Sequence, residues 1–207
     1  MAVISNGTTI IDAGALGSGV ATGKMTLIKT LTASGSGTLS FVDGAASVVL
    51  DDTYDSYVFK FINIHPSGTE KEFGFQVNVA GASGFNETIT SSNFKARHTE
   101  SDSAVSLGYN TAGEQSQGTA FQQLSEDSGN AADNCICGEL TIYNPSSTTF
   151  VKHFTSTIVE VGGGTAQLKN NFIAGYINVT AAVDEVQFKM SEGNIDSGII
   201  KLYGIGG

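Results

Sequence analysis

Cys135 and Cys137 flank Ile136, and on an extended strand that spacing sets both thiols on one face. A disulfide between residues two apart would strain the backbone, so reduced, packed thiols are expected. Gly19 to Lys24, GVATGK, invites comparison with a phosphate-binding loop. The Walker pattern needs four residues between its glycines and a Ser or Thr after the lysine; here there are three, and Met25 follows, so a turn is expected. His65, His98 and His153 fall on three separate strand regions without the close pairing that pre-forms a metal site. Acidic loops at Asp51, Asp52 and Asp55, at Glu100 and Asp102, at Glu126 and Asp127, and at Glu192, Asn194 and Asp196 all miss the calcium-loop spacing and read as solvated turns. No Gly-x-Ser-x-Gly elbow is present, and no pair among the many carboxylates stands out as a glycosidase couple. A sugar platform needs exposed aromatic faces; the chain has no Trp, which leaves Tyr54, Tyr109, Tyr143, Tyr176 and Tyr203. From residue chemistry, then, no catalytic, cofactor-binding or metal-ligating residue is named, no cofactor is expected, and the chain is not expected to be an enzyme.

The elements that would position these residues are all strands. Val186, Phe188 and Met190 alternate with Glu185, Gln187 and Lys189, which gives a strand with one dry face. After the turn-rich Ser191 to Gly198, the denser run Ile199 to Ile205 reads as its hairpin partner. Tyr57 to His65 and Glu72 to Val79, joined by Pro66 to Glu70, read as a second hairpin with one wet side, and Lys24 to Ala33 with Thr38 to Val42 as a third. Further strands are expected at Ser47 to Leu50, Glu87 to His98, Ala104 to Tyr109, Ile136 to Tyr143, Thr149 to Val161 and Asn171 to Val179. Between them, Asn110 to Asn134 is strongly polar and reads as a surface excursion pinned by Phe121 and Leu124. About ten to twelve strands and no 3.6-residue periodicity predict an all-β, antiparallel two-sheet sandwich, with a jelly-roll-like arrangement as one form of it. The whole chain, 1–207, is expected to form one domain, with the glycine-rich 1–23 as an extended N-terminal arm.

Charge narrows the function further. Twenty acidic residues against ten basic ones give a net charge of −10, which repels phosphate backbones and argues against nucleic acid as a partner. No apolar run approaches the roughly 20 residues that span a bilayer, so no membrane insertion is expected. The opening residues Met1 to Gly7 lack a basic region followed by an apolar one, so synthesis in a cytosol is expected, in keeping with reduced thiols.

Four stretches, Met1 to Asp12 (MAVISNGTTIID), Asp51 to Pro66 (DDTYDSYVFKFINIHP), Leu140 to Phe154 (LTIYNPSSTTFVKHF) and Met190 to Ile205 (MSEGNIDSGIIKLYGI), resemble a group of small virion proteins. That group is encoded by marine tailed bacteriophages, especially those of cyanobacteria and other open-ocean bacteria. The resemblance spans most of the chain and implies a structural role on the particle, as a tail-fibre-like or capsid-associated component, made in the host cytoplasm. It supplies no catalytic residues, and Asn110 to Asn134 and Cys135-Ile136-Cys137 are not among its fixed features. Implied partners are further copies of the chain, as a homo-oligomer with a trimer as the first expectation, and other virion proteins. A rival reading makes the chain a receptor-binding module for a bacterial surface glycan, using its long polar loops.

Overall fold

The computed structural model describes residues 3–5, 8–12, 15–16 and 25–206. Within the segment expected as an arm, β1 (Val3–Ser5), β2 (Thr8–Asp12) and β3 (Ala15–Leu16) pair into a small antiparallel sheet; Gly19 to Lys24 lies outside the described residues. The remaining strands are β4 (Met25–Ser36), β5 (Leu39–Val42), β6 (Ser56–Pro66), β7 (Phe73–Val79), β8 (Ile89–Thr99), β9 (Val105–Tyr109), β10 (Ser116–Gly118), β11 (Gln122–Gln123), β12 (Ile136–Tyr143), β13 (Lys152–Val161), β14 (Gln167–Ile177), β15 (Val183–Met190) and β16 (Ile195–Ile205). One short 3₁₀ turn, Thr111–Gly113, precedes β10.

These strands build two antiparallel sheets that face each other, the all-β sandwich expected from the alternation. The large sheet has nine strands in the order β10, β8, β14, β13, β12, β6, β16, β4, with β9 also pairing along β8. The small sheet runs β11, β7, β15, β5. Passage from β6 to β7 to β8, and from β14 to β15 to β16, alternates between sheets in jelly-roll fashion, while β12, β13 and β14 form a sequential meander within one sheet.

Phenylalanines from both sheets interlock between them. Phe188 on β15 lies 5.2 Å from Phe59 and 5.3 Å from Phe61 on β6, and stacks on Phe73 at 5.8 Å. Phe41 meets Phe59 edge-on at 5.2 Å, and Phe75 meets Phe154 at 5.1 Å. Edge-to-face pairs of this kind are favoured by the ring quadrupole beyond the burial of their surface. Around them Ile136, Leu140, Ile158, Val186, Ile200 and Leu202 complete one continuous core.

All three expected hairpins are in fact crossings between sheets. β6 pairs with β12 and β16, and β7 with β15 and β11; β15 and β16 lie in different sheets, as do β4 and β5. Alternation says which face of a strand is dry, but two dry faces are satisfied equally well side by side or opposed across a core. The connections 67–72 and 191–194 are long enough to step across the roughly 10 Å between packed sheets. Ser47 to Leu50 is not a strand either: Val48 and Leu50 are buried, but they reach the core from an irregular segment that follows a turn.

The polar segment from Asn110 to Asn134 also differs from expectation. Instead of a surface excursion it closes one side of the sandwich, with β10 pairing along the large sheet and β11 along the small one. It covers the face of β7 expected to be wet. Gln76 is fully buried, and its Nε2 donates to the carbonyls of Glu87, Thr119 and Ala120. Leu124 is buried as expected, while Phe121 is half-buried with the Lys189 ammonium 4.3 Å over its ring.

Phe188→Ala removes the ring shared by five aromatic neighbours and leaves a cavity that rigid strands cannot fill. A loss of about 4 kcal/mol is expected from large-to-small core substitutions, to be read from urea unfolding curves of the two proteins.

Candidate functional site

The chemistry-bearing residues sit apart. His65 lies on β6, with Nε2 3.2 Å from the Ala131 carbonyl and Nδ1 3.9 Å from Asp196. His98 on β8 pairs with Asp102 at 2.9 Å, and His153 on β13 packs edge-on against Tyr176. Two of the acidic loops have partners of their own: hydrogen bonds from the Thr53 side chain and then its amide hold the Asp51 carboxyl below the usual range, and Glu192 pairs with Lys71 at 2.7 Å. Cys135 and Cys137, expected as reduced, packed thiols, are free and half-buried. Burial and the neighbouring Cys137 sulfur raise the Cys135 pKa.

One loop expected to be solvated is instead part of a half-buried ion network. Glu126 pairs with Lys95 on β8 and, at 2.9 Å, with Lys169 on β14; Asp127 also pairs with Lys169, whose side chain is almost entirely enclosed. Burial alone would raise the Glu126 pKa, but the two lysines outweigh it and hold the carboxyl below its usual range. Likewise burial would lower the Lys169 pKa, and the hydrogen bonds to Asp127 and Glu126 hold it above. Beneath them Glu160 on β13 is buried, accepting from Ser128, from Asn171 Nδ2 at 3.0 Å and from the Glu126 amide at 2.7 Å. Desolvation dominates there and raises its pKa. At the other end of β13, Lys152 is also buried and donates to the carbonyls of Phe150, Val179 and Thr180. The charged groups of both clusters, Lys152, Glu160 and Lys169, are each met by partners in the chain, so they fasten the two ends of the sandwich. The signal for them was present: Phe154 and Ile158 place even-numbered positions of β13 inward, and Lys152 and Glu160 share that phase.

The opposite face of the large sheet carries the more unusual surface. Cross-strand register places Tyr109, Phe94, Phe172 and Thr157 in one row, Leu107, Ala96, Asn170 and Val159 in the next, and Val105, His98, Leu168 and Val161 in a third. Leu107 is 74% exposed and Val105 71%, and the exposed Phe94 stacks on Phe172 at 4.9 Å. None of these twelve positions carries a carboxylate, although the chain as a whole carries −10. The patch ends at β9, which pairs with β8 on one side and with no other strand among the described residues on its free side. Edge strands that are apolar and unpaired are templates for association, and proteins ordinarily blunt them with charge. Alongside, an open trough of about 440 Å³ crosses β8, β14 and β13, with Thr90, Ser92, His153, Thr155, Ala174 and Tyr176 in its lining.

Compared with known proteins, the chain matches no protein-family model, no curated protein and no solved structure.

The raised pKa of Glu160 has a fixed sign in stability. A carboxyl that binds its proton more tightly when folded contributes fully below the ordinary glutamate value of 4.5, and that contribution is lost as pH rises through the raised folded value. Melting temperature of the wild type is expected to fall across that interval, and Glu160→Gln, which keeps the shape and most hydrogen bonds, is expected to flatten the fall. Thermal unfolding followed by circular dichroism across the acid-to-neutral range checks this.

Proposed function

We propose that this chain is a structural component on the outside of a tailed-bacteriophage particle, a tail fibre or knob or a capsid decoration, that folds in the host cytoplasm and works as a homo-oligomer. The single observation that carries the reading is the largely apolar outer face, without a carboxylate at its twelve register positions, ending in the open edge of β9. Copies of a chain with charge −10 repel one another over most of their surface, so approach is favoured where carboxylates are missing. Apolar rows from β9 to β13 supply the burial, and β9 supplies unpaired backbone groups. A trimer remains the first expectation for the order of the assembly. The resemblance of both chain ends to virion proteins of marine phages supports the same reading, as does a core built for rigidity with its ends fastened by buried charge.

A second reading, a receptor-binding module for a bacterial surface glycan, is favoured by the trough beside the patch. Its lining carries no acidic or basic side chain other than His153 and is mostly apolar, with hydroxyls at Thr90, Ser92 and Thr155 and the neighbouring rings of Tyr176 and His153, a composition that suits the apolar face of an uncharged sugar.

Sedimentation velocity separates the two. Wild-type protein is expected to sediment as a closed oligomer, and Leu107→Lys, which places a charge in the patch without touching the core, is expected to weaken association at least tenfold; a wild-type monomer at high concentration would refute the assembly reading. For the glycan reading, purified host polysaccharide is titrated calorimetrically, with Tyr176→Ala expected to weaken binding about tenfold and no heat of binding to the wild type counting against it.

A further inference from the structure

We propose that Cys135 and Cys137 form a two-thiolate site for a two-coordinate thiophilic cation of the copper(I) or silver(I) class. Three observations carry it. Both sulfurs reach one atom, Asn63 Oδ1, at 3.8 Å from Cys135 and 3.5 Å from Cys137, while the Asn63 amide donates to the Cys137 sulfur at 3.3 Å. The two S–H groups share one acceptor and lie within hydrogen-bonding reach of each other, so they converge on one side of the strand where one cation can replace their two protons.

Asn63 is held in place by the backbone. β6 carries an extra residue here relative to both neighbours: Gly138 pairs with Phe61 and Ile136 with Ile64 on one side, and Ile199 pairs with Ile62 and Ser197 with His65 on the other. At this bulge Asn63 takes a φ of +51°, a conformation costly for most side chains, and Gly198 opposite has no room for a Cβ, which would lie 2.6 Å from the Asn63 carbonyl. A deliberate irregularity in two ladders thus aims the Asn63 amide beneath the thiol pair.

Access and ligand number decide the occupant. Both cysteines are half-buried, and Cys135 borders an open pocket of about 280 Å³ lined also by Asn63, His65, Asp133 and Ser197. Among the described residues no third His, Cys, Asp or Glu joins the pair in a ligand group. A tetrahedral ion such as zinc would lack half its ligands, whereas soft d10 cations accept two thiolates. In balanced form, two Cys–SH and one M⁺ give a Cys–S–M–S–Cys anion and two H⁺, with no change of oxidation state.

Silver(I) is the probe, added to the full chain and followed by native mass spectrometry and thiolate-to-metal absorption. The expected result is one ion per chain, with Cys135→Ser and Cys137→Ser each lowering the affinity at least tenfold while leaving the melting temperature unchanged, and no stoichiometric uptake of zinc. Two silver ions per wild-type chain, one retained at full affinity by either Ser variant, would overturn the site by showing independent thiols. Absence of silver binding, or zinc bound as tightly as silver, would overturn it as well.

Discussion

Everything in this structure depends on the interlock of phenylalanines between two sheets of unequal width. Phe188 from the small sheet enters between Phe59 and Phe61 of the large one, with Phe41, Phe73 and Phe75 closing around it. Because the interlock requires side chains from both sheets, consecutive strands are drawn to opposite sides of the core. That demand explains why β6 and β7, adjacent in sequence and each amphipathic, meet face to face at Phe61 and Phe73 instead of edge to edge. Four strands cannot cover nine. β9, at the margin of the large sheet, is exposed on both faces, and its outward side chains Val105, Leu107 and Tyr109 continue the apolar rows of the uncovered outer face.

Charge takes over where the aromatic core ends. Along β13 the inward side chains run Lys152, Phe154, Ser156, Ile158 and Glu160, so the strand is uncharged in its middle and carries ionisable groups at both tips. Lys152 saturates its three donors with carbonyls, and Glu160 accepts from three donors beneath the Glu126, Lys95 and Lys169 network. A buried ion pair contributes little net stability compared with an apolar replacement, but losing one partner is costly. Such groups enforce one arrangement of the loops that carry them, here the segment from Asn110 to Asn134.

Fold class was legible from alternation alone, and strands such as Ile136 to Tyr143 match to the residue, because period-two burial is a local property. Strand neighbours were not legible, since the choice between pairing and facing is made by contacts far apart in sequence. Composition misled for Asn110 to Asn134: polar residues usually mark solvent, yet Gln122, Ser125 and Ser128 are buried because backbone groups at the sandwich edge need partners. Even-numbered phase along β13 did announce Lys152 and Glu160, whereas the shared acceptor of Cys135 and Cys137 arises from a bulge in a strand more than 70 residues away and left no mark in the spacing.

An aromatic core, fastened ends and one face without a carboxylate at its register positions are the features on which the proposed role as a building block rests. The central claim concerns that face, and an image of the assembled phage particle tests it most directly. Density for this sandwich is predicted on the particle exterior, in symmetric copies whose contacts bury β9 and the Phe94 and Phe172 stack. Particles without such density, or copies that meet through other surfaces while β9 stays open to solvent, would contradict the account.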